Sequence, residues 1–220
     1  MKLVGMLDSP FVRRVAISMQ CLQLPFEHQA LSVFRDIDEF KKLSPVVKAP
    51  SLLCDDGTVL LDSNLILDYL ETLASQNNAE NRLLLPTDVA QRSQALHCIG
   101  LAMIACEKSV QIYYEWKLRP VESQFQAWLE RISEQLETAY RELELSLSQW
   151  PAATKPSELD QVLISAAVAW RFTCEYLPEL VPQWQLPILS ELSQWAESRP
   201  EFQRAGFGED PYPVMPTGAI

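Results

Sequence analysis

The stretch KLVGMLDSPFVRRVAISMQCL, residues 2–22, contains a short apolar segment, a turn and an amphipathic segment in direct succession. Residues 2–7 are predicted to form a strand. Ser9 and Pro10 are the residue types preferred at the N-cap and at the first position of a helix. Apolar residues then recur at helical spacing, which predicts a helix ending near Leu22.

The alternation of strand and helix continues toward the middle of the chain. The predicted elements are a strand over 26–31, a weak helix over 32–43, strands over 50–54 and 58–61, and a helix opened by Asp62 and Ser63. The two later strands flank an Asp56-Gly57 turn, which is a strong hairpin signal. A strand–helix–strand unit followed by a hairpin and a helix predicts a small α+β domain whose first two strands are parallel.

The character of the sequence changes after residue 74. The polar stretch 75–81 has no periodicity, and we predict a first domain over 1–75, a linker over 76–86 and an all-helical domain over 87–220. The predicted helices of the second domain span 88–118, 121–149, 157–176 and 187–198, separated by prolines. Residues 206–220 contain several glycines and prolines and are predicted to form an irregular tail.

Composition restricts the classes of function. The 220 residues carry 18 Lys and Arg against 29 Asp and Glu, a formal net charge of -11, which disfavours nucleic acid and anionic membranes as partners. The 5 cysteines form no CxxC pair, so we expect reduced thiols in the cytoplasm. The first residues lack a secretory signal, and no apolar run approaches the length of a membrane span. Neither of the 2 histidines has metal-ligand spacing, so no metal is expected.

The order of these elements resembles the glutathione S-transferase family over nearly the whole chain. The motifs that carry the resemblance are Ser9-Pro10-Phe11, Lys48-Ala49-Pro50, Asp62-Ser63 and the helix start Ser157-x-x-Asp160. The resemblance implies a thioredoxin-like N-terminal domain (βαβ then ββα) followed by an all-α helical bundle. The serine at position 9 looks like that of the bacterial, serine-type, theta-like or related transferases, and the resemblance implies a cytoplasmic homodimer that acts in detoxification.

The resemblance implies that Ser9 is the catalytic residue. Glutathione reacts as a thiolate, and a hydroxyl donor at a helix N-terminus stabilises that negative charge. The alternative is that Ser9 only caps its helix. Relatives that act by disulfide exchange commonly have a cysteine at this place, and the serine here disfavours a mixed-disulfide mechanism through a protein thiol.

The remaining glutathione-binding residues implied by the resemblance follow the same logic. Ala49 would offer its backbone to the cysteinyl part of glutathione, with the following Pro50 in the cis form. Asp62 would pair with the ligand ammonium, and Ser63 with the γ-glutamyl carboxylate at the helix N-terminus. Lys48 is a candidate for the glycine carboxylate. Each residue also has a plainly structural interpretation as a cap, a loop proline or a solvated lysine. The set of cofactor-binding residues is therefore Phe11, Lys48, Ala49, Pro50, Asp62 and Ser63.

The function implied is conjugation of the glutathione thiolate to small, electrophilic, apolar substrates. Tyr113 and Tyr114 of the long helix are candidates to line the second pocket, although an aromatic cluster on a long helix is more often core or dimer contact. Two alternatives remain open: a glutathione-dependent peroxide or disulfide reductase, and a non-catalytic binding or regulatory protein with the same fold.

Overall fold

The computed structural model describes residues 1–77, 83–181 and 184–208 and separates them into two compact units. The first unit consists of Met1–Leu85 and the segment that begins at Ser198, and the second unit is Pro86–Glu197. The strands are β1 (Lys2–Val4), β2 (Glu27–Gln29), β3 (Ser51–Leu53) and β4 (Val59–Leu61). The helices are α1 (Pro10–Cys21), α2 (Ile37–Leu43), α3 (Ser63–Asn77), α4 (Val89–Leu118), α5 (Gln126–Ser148), α6 (Pro151–Thr154), α7 (Gln161–Tyr176), α8 (Pro187–Glu197) and α9 (Pro200–Arg204).

The first unit is built on a four-stranded mixed sheet with the strand order β2-β1-β3-β4. β1 pairs with β2 in parallel and with β3 antiparallel, and β4 pairs antiparallel with β3. The Asp56-Gly57 turn closes the β3–β4 hairpin, where Gly57 has a φ of 88°. The parallel pair and the hairpin confirm the α+β arrangement predicted from the sequence.

The strands are shorter than their sequence patterns suggest. β1 was predicted over 2–7 but ends at Val4, because Gly5 has a φ of 135°, outside the extended region. The helix predicted over 32–43 begins only at Ile37, since Ser32 uses its hydroxyl to accept hydrogen bonds from the backbone N–H groups of Phe34 and Arg35. A local turn held by a serine side chain thus replaces the first turn of that helix.

The second unit is entirely helical within its described residues, as predicted. α4 has the predicted bounds because Asp88 caps it, accepting a hydrogen bond from the Gln91 N–H at 2.9 Å, and Pro120 follows its end. A buried hydroxyl network joins the helices: Tyr140 Oη donates to the carbonyl of Ala169 at 2.9 Å and lies 2.6 Å from Thr173 Oγ1. These bonds satisfy polar groups inside an otherwise apolar core.

Three helical predictions need correction. The helix predicted over 121–149 is a 3-10 turn at Val121–Ser123 followed by α5, and the short α6 was not predicted. α7 begins at Gln161 and not at residue 157, because Asp160 is itself the N-cap. Its Oδ1 accepts from the Leu163 N–H at 2.8 Å, and its Oδ2 accepts from the indole N–H of Trp150 at 2.9 Å. Ser157 is therefore not the capping residue of this helix.

The C-terminal segment folds with the first unit. The sequence prediction assigned everything after residue 87 to the helical domain, whereas the described residues from 198 to 208 belong to the unit that contains the sheet. Their helix α9 contacts α1. The predicted linker 76–86 and tail 206–220 lie partly outside the described residues, and the three predicted domain ranges stay a prediction.

The long helix α4 is unusually apolar. It contains an 18-residue apolar stretch, of which 44% is buried inside the structure. The helix is long and apolar enough to cross a membrane, which the sequence analysis did not predict. Core helices of soluble proteins are often as long and as apolar, so the length and composition of α4 are weak evidence for a membrane location.

Candidate functional site

Ser9 is the N-cap of α1, as predicted, with Pro10 in the first helical position. Its backbone is extended (φ -69°, ψ 123°), and its carbonyl accepts the first helical hydrogen bond, from the Arg13 N–H at 2.9 Å. The side-chain hydroxyl makes no capping hydrogen bond. Ser9 is half-buried. Its backbone thus occupies the N-cap position without a side-chain capping bond, and its catalytic role stays a prediction.

The loop before β3 approaches the start of α1 closely. A Cβ atom built on Gly5 would lie 2.6 Å from Val12 Cγ2 and 2.9 Å from the Ala49 Cβ, so only glycine fits between α1 and this loop. The Gly5 carbonyl accepts a hydrogen bond from His28 Nε2 at 2.7 Å. Burial lowers the pKa of His28, with this hydrogen bond opposing the shift. His28 is therefore a structural histidine.

The loop itself contains three predicted ligand residues. The Ala49–Pro50 peptide is cis, as the family resemblance implied. Neither the N–H nor the C=O of Ala49 makes a backbone hydrogen bond to another described residue. Lys48 is exposed, and no carboxylate of the described residues pairs with its ammonium group. Val47, which precedes them, has a φ of 53°, an uncommon conformation for a β-branched residue.

The N-terminus of α3 combines a carboxylate with a buried hydroxyl. Asp62 is exposed and has a φ of 68°, and its Oδ1 accepts from the Asn64 N–H at 2.8 Å. Ser63, the first residue of α3, is only 3% exposed. A helix N-terminus of this kind has free N–H groups and a positive partial charge, which favour a bound anion.

Arg14 is a component of this arrangement that the sequence analysis missed. Its guanidinium is 1% exposed, and Nη1 donates to Ser63 Oγ at 3.1 Å and to Asn64 Oδ1 at 2.7 Å. Because Ser63 Oγ accepts from Arg14, its own hydroxyl hydrogen is directed elsewhere and is available to an acceptor. The sequence did contain a signal for Arg14, because this charged residue lies between Val12 and Val15, which are both buried.

The predicted residues thus converge on the first half of α1. Ala49 and Val12 of α1 both pack closely against Gly5, and Ser63 accepts a hydrogen bond from Arg14 of α1. Ser9 precedes Arg14 by five residues, about 7.5 Å along a helix axis. The predicted ligand residue Phe11 lies half-buried in the first turn of α1. Among the described residues, the hydroxyl of Ser9 makes no capping bond, the peptide group of Ala49 makes no backbone bond, and Lys48 pairs with no carboxylate.

The comparisons with known proteins concern the family of the first domain and the fold of the chain. Residues 3–78 match the family described as glutathione S-transferase, N-terminal domain. Over 92% of the chain, the fold is that of a glutathione transferase family member from Pseudomonas fluorescens Pf-5 solved with bound glutathione, at 26% identity and a TM-score of 0.77. Residues 3–78 thus form a domain of the glutathione S-transferase N-terminal family, and the chain as a whole is similar in fold to glutathione transferases. The match covers 96% of that Pseudomonas chain.

Two further relatives define how far the likeness extends. A glutathione S-transferase from Methylobacterium radiotolerans, in complex with glutathione sulfonate, has a TM-score of 0.81 at 25% identity, with 93% of each chain covered. The curated glutathione S-transferase U6 of Arabidopsis thaliana is 30% identical over 111 residues, 50% of this chain. The chain spans only 46% of the length of this curated relative. Substrates and activity do not follow from such matches.

A more distant likeness concerns the fold alone. The nitrogen regulation fragment of the yeast prion protein Ure2p has a TM-score of 0.74 at 17% identity, with 93% of this chain and 94% of that chain covered. The thioredoxin-like first domain and the helical second domain, predicted from the sequence, are confirmed by the structure and these relatives.

Proposed function

We propose that this protein is a glutathione transferase that conjugates the glutathione thiolate to small, electrophilic, apolar substrates. The observation that carries the proposal is the hydroxyl of Ser9, which lies at the N-terminus of α1 and makes no bond to the helix it caps. A thiol bound there meets a hydrogen-bond donor and the positive end of a helix dipole. Both favour the thiolate over the thiol, which is the form that attacks an electrophile.

The γ-glutamyl end of glutathione is assigned to the N-terminus of α3. Its carboxylate would accept hydrogen bonds from the Ser63 hydroxyl and from free N–H groups of the first turn, with the positive charge of Arg14 bonded to the same hydroxyl. Its ammonium group would pair with Asp62, of which Oδ1 is already bonded to Asn64 and the other oxygen remains for the ligand. Both charges of the γ-glutamyl group then have a partner of opposite sign.

The rest of the peptide is assigned to the loop before β3. The backbone N–H and C=O of Ala49 would pair with the cysteinyl residue of glutathione as a short added strand, held in place by Pro50. The ammonium of Lys48 is exposed and would bind the glycine carboxylate at the far end. Phe11 would contact the ligand from the first turn of α1. These contacts set the cysteinyl sulfur near Ser9.

Conjugation is favoured over chemistry that needs a protein thiol. Burial raises the pKa of Cys54 and Cys98, and it raises the pKa of Cys174 to about 11. These thiols stay protonated at neutral pH and are poor nucleophiles. Cys21, at the other end of α1, is twelve residues from Ser9, about 18 Å along the helix. Cys106 is fully buried, so the thiol that reacts in this proposal is that of glutathione itself.

The two tyrosines of α4 that were candidates to line the second pocket differ in exposure. Tyr113 packs edge-on against Tyr176 with ring centroids 4.7 Å apart, whereas the neighbouring Tyr114 is 37% exposed. The ring of Tyr114 is thus the more accessible aromatic surface of the two. A cytoplasmic homodimer that acts in detoxification, without metal, nucleic acid or membrane partners, completes the proposal.

Calorimetric titration of reduced glutathione, with thiolate absorbance followed in the same samples, tests this assignment. We expect binding to the wild type and to Ser9→Ala, with the thiol pKa of bound glutathione lowered only in the wild type. Ser148→Ala is a matched control, because its exposed hydroxyl bonds only to the Leu145 carbonyl of its own helix. An equally lowered pKa in Ser9→Ala would contradict the catalytic role of Ser9.

The same titration, combined with assays of turnover, distinguishes the competing functions. Binding and a lowered thiol pKa, with turnover of model electrophiles, support the transferase. Binding and a lowered pKa with turnover of peroxides or disulfides but not of electrophiles would move the assignment to a glutathione-dependent reductase. No binding by the wild type would exclude both and leave a non-catalytic protein with this fold.

A further inference from the structure

A second buried arginine of α1 ties the C-terminal segment to the start of the helix. Arg13 is 1% exposed, and its Nε donates to the Ala205 carbonyl at 2.8 Å. Its Nη2 lies 3.4 Å from the carbonyl oxygen of Phe202. The guanidinium carbon lies 5.3 Å from the Phe202 ring centroid and 5.8 Å from that of Phe207, within the range of cation–π attraction.

Arg13 donates to carbonyl groups at the C-terminal end of α9, where the helix offers them no backbone donor. Ala205 is the C-cap of α9, and the last carbonyls of a helix have no partner within the helix. A positive charge at this end also interacts favourably with the helix dipole. Burying a guanidinium is costly unless such bonds compensate it. The side chain of Arg13 is thus matched in charge and geometry to the end of α9.

The main chain of the same residue holds Ser9. The Arg13 N–H donates to the Ser9 carbonyl at 2.9 Å, which is the hydrogen bond that closes the first turn of α1. The next residue, Arg14, holds the Ser63 hydroxyl. One turn of α1 therefore connects the end of α9 with both groups assigned above to glutathione.

We propose that Arg13 is a positioning residue for the glutathione site, which fixes Ser9 by anchoring the C-terminal helix α9 against α1. The inference rests on the proposed role of Ser9. Gln20, two turns further along α1, supports the same contact: its Nε2 donates to the Glu201 carbonyl at 2.8 Å, and its Oε1 accepts from Arg204 at 3.0 Å. α9 is thereby bound to α1 at two positions, Arg13 and Gln20, of which Arg13 is the nearer to Ser9.

The test compares Arg13→Met with the wild-type full chain. Arg13→Met keeps the length and apolar volume of the side chain but removes its donors. We expect faster amide hydrogen exchange over 199–208, glutathione binding weakened about tenfold, and loss of part of the thiolate absorbance of bound glutathione. A tenfold loss of affinity corresponds to about 1.4 kcal/mol, comparable with the loss of one hydrogen bond. Arg13→Lys, which keeps the charge, should recover part of each.

Controls separate positioning from general stability. Arg141→Met makes the same chemical change at an exposed arginine of α5 and should leave all three readouts unchanged. Faster exchange over 199–208 with wild-type glutathione affinity and thiolate absorbance would overturn the inference. If Arg13→Met fails to fold, Arg13→Lys is the second variant, because it keeps the charge but removes the guanidinium that reaches the carbonyls of Ala205 and Phe202. Faster exchange over 199–208 in Arg13→Lys with an unchanged glutathione affinity would overturn the inference equally.

Failure of the proposed function gives a different result. A wild-type protein that does not bind glutathione refutes the transferase proposal before any variant is compared. A wild type that binds glutathione, together with an Arg13→Met variant that binds it equally well, refutes only the role of Arg13.

Discussion

Replacing Ser63 with alanine removes a single hydroxyl from the first residue of α3. That hydroxyl is buried, accepts from Arg14 Nη1 at 3.1 Å and is assigned to donate to the γ-glutamyl carboxylate. A hydrogen bond to a charged group contributes about 1.5–3 kcal/mol. Since about 1.4 kcal/mol corresponds to a tenfold change in affinity, Ser63→Ala is expected to weaken glutathione binding roughly 10- to 150-fold.

The effect on folding should be smaller. Arg14 keeps its shorter bond, to Asn64 Oδ1 at 2.7 Å, so the buried guanidinium is still hydrogen-bonded in the variant. We expect the free energy of unfolding to fall by about 1 kcal/mol. Denaturant titration measures the free energy of unfolding, and calorimetry measures the binding of glutathione separately. The variant therefore remains folded under the conditions of the binding experiment.

Ser75→Ala is the matched control on the same helix. Ser75 is exposed, and its hydroxyl bonds only to the Thr72 carbonyl at 2.7 Å, so its loss should change glutathione affinity less than twofold. A change of less than threefold in Ser63→Ala would refute the assignment of the α3 N-terminus to the γ-glutamyl carboxylate. A large loss of affinity in both variants would show that α3 as a whole, and not Ser63, is responsible.

Three further predictions concern stability. Gly5→Ala would place a Cβ 2.6 Å from Val12 Cγ2 at a φ of 135°, and we expect a loss of about 2–3 kcal/mol in denaturant titration; a neutral result would contradict the close packing. The lowered pKa of His28 means that the unfolded state binds the proton more readily, so the contribution of His28 to the unfolding free energy is present above pH 6.5 and is lost as the pH falls toward the folded-state pKa; replacing His28 should flatten the dependence of the unfolding free energy on pH in that range, and an unchanged slope in denaturant titrations would contradict the assignment. Tyr140→Phe should lower the unfolding free energy by about 1–2 kcal/mol because the Ala169 carbonyl and the Thr173 hydroxyl lose its bonds, and an unchanged value would show that the buried network is energetically silent.

The elements that could be predicted from the sequence are those with strong local signals. α4 was bounded correctly because Asp88 is a good cap and Pro120 follows the helix end. The hairpin followed from Asp56-Gly57, whose backbone conformation few other residues adopt without strain. These signals depend only on the residues themselves and their immediate neighbours, so a single sequence contains them.

The elements that were missed depend on contacts distant in sequence. Arg14 becomes a site component only because Ser63, 49 residues later, accepts from it. The start of α7 shifted because Trp150 binds Asp160 and helps to make it the cap. The positive φ of Val47 has no signal in its residue type, since glycine or asparagine is expected in such a conformation. Periodicity and capping rules do not contain this information.

The anchoring of α9 on α1 also has a consequence for the order of folding during synthesis. Arg13 is made early, but the carbonyls of Phe202 and Ala205 emerge from the ribosome only after about 190 more residues. At roughly 5–20 residues per second this is a delay of about 10–40 s. The sheet and α1 can form in that interval, whereas the unit that contains them is completed only after the whole helical unit has been translated. The first unit is therefore the last to be finished.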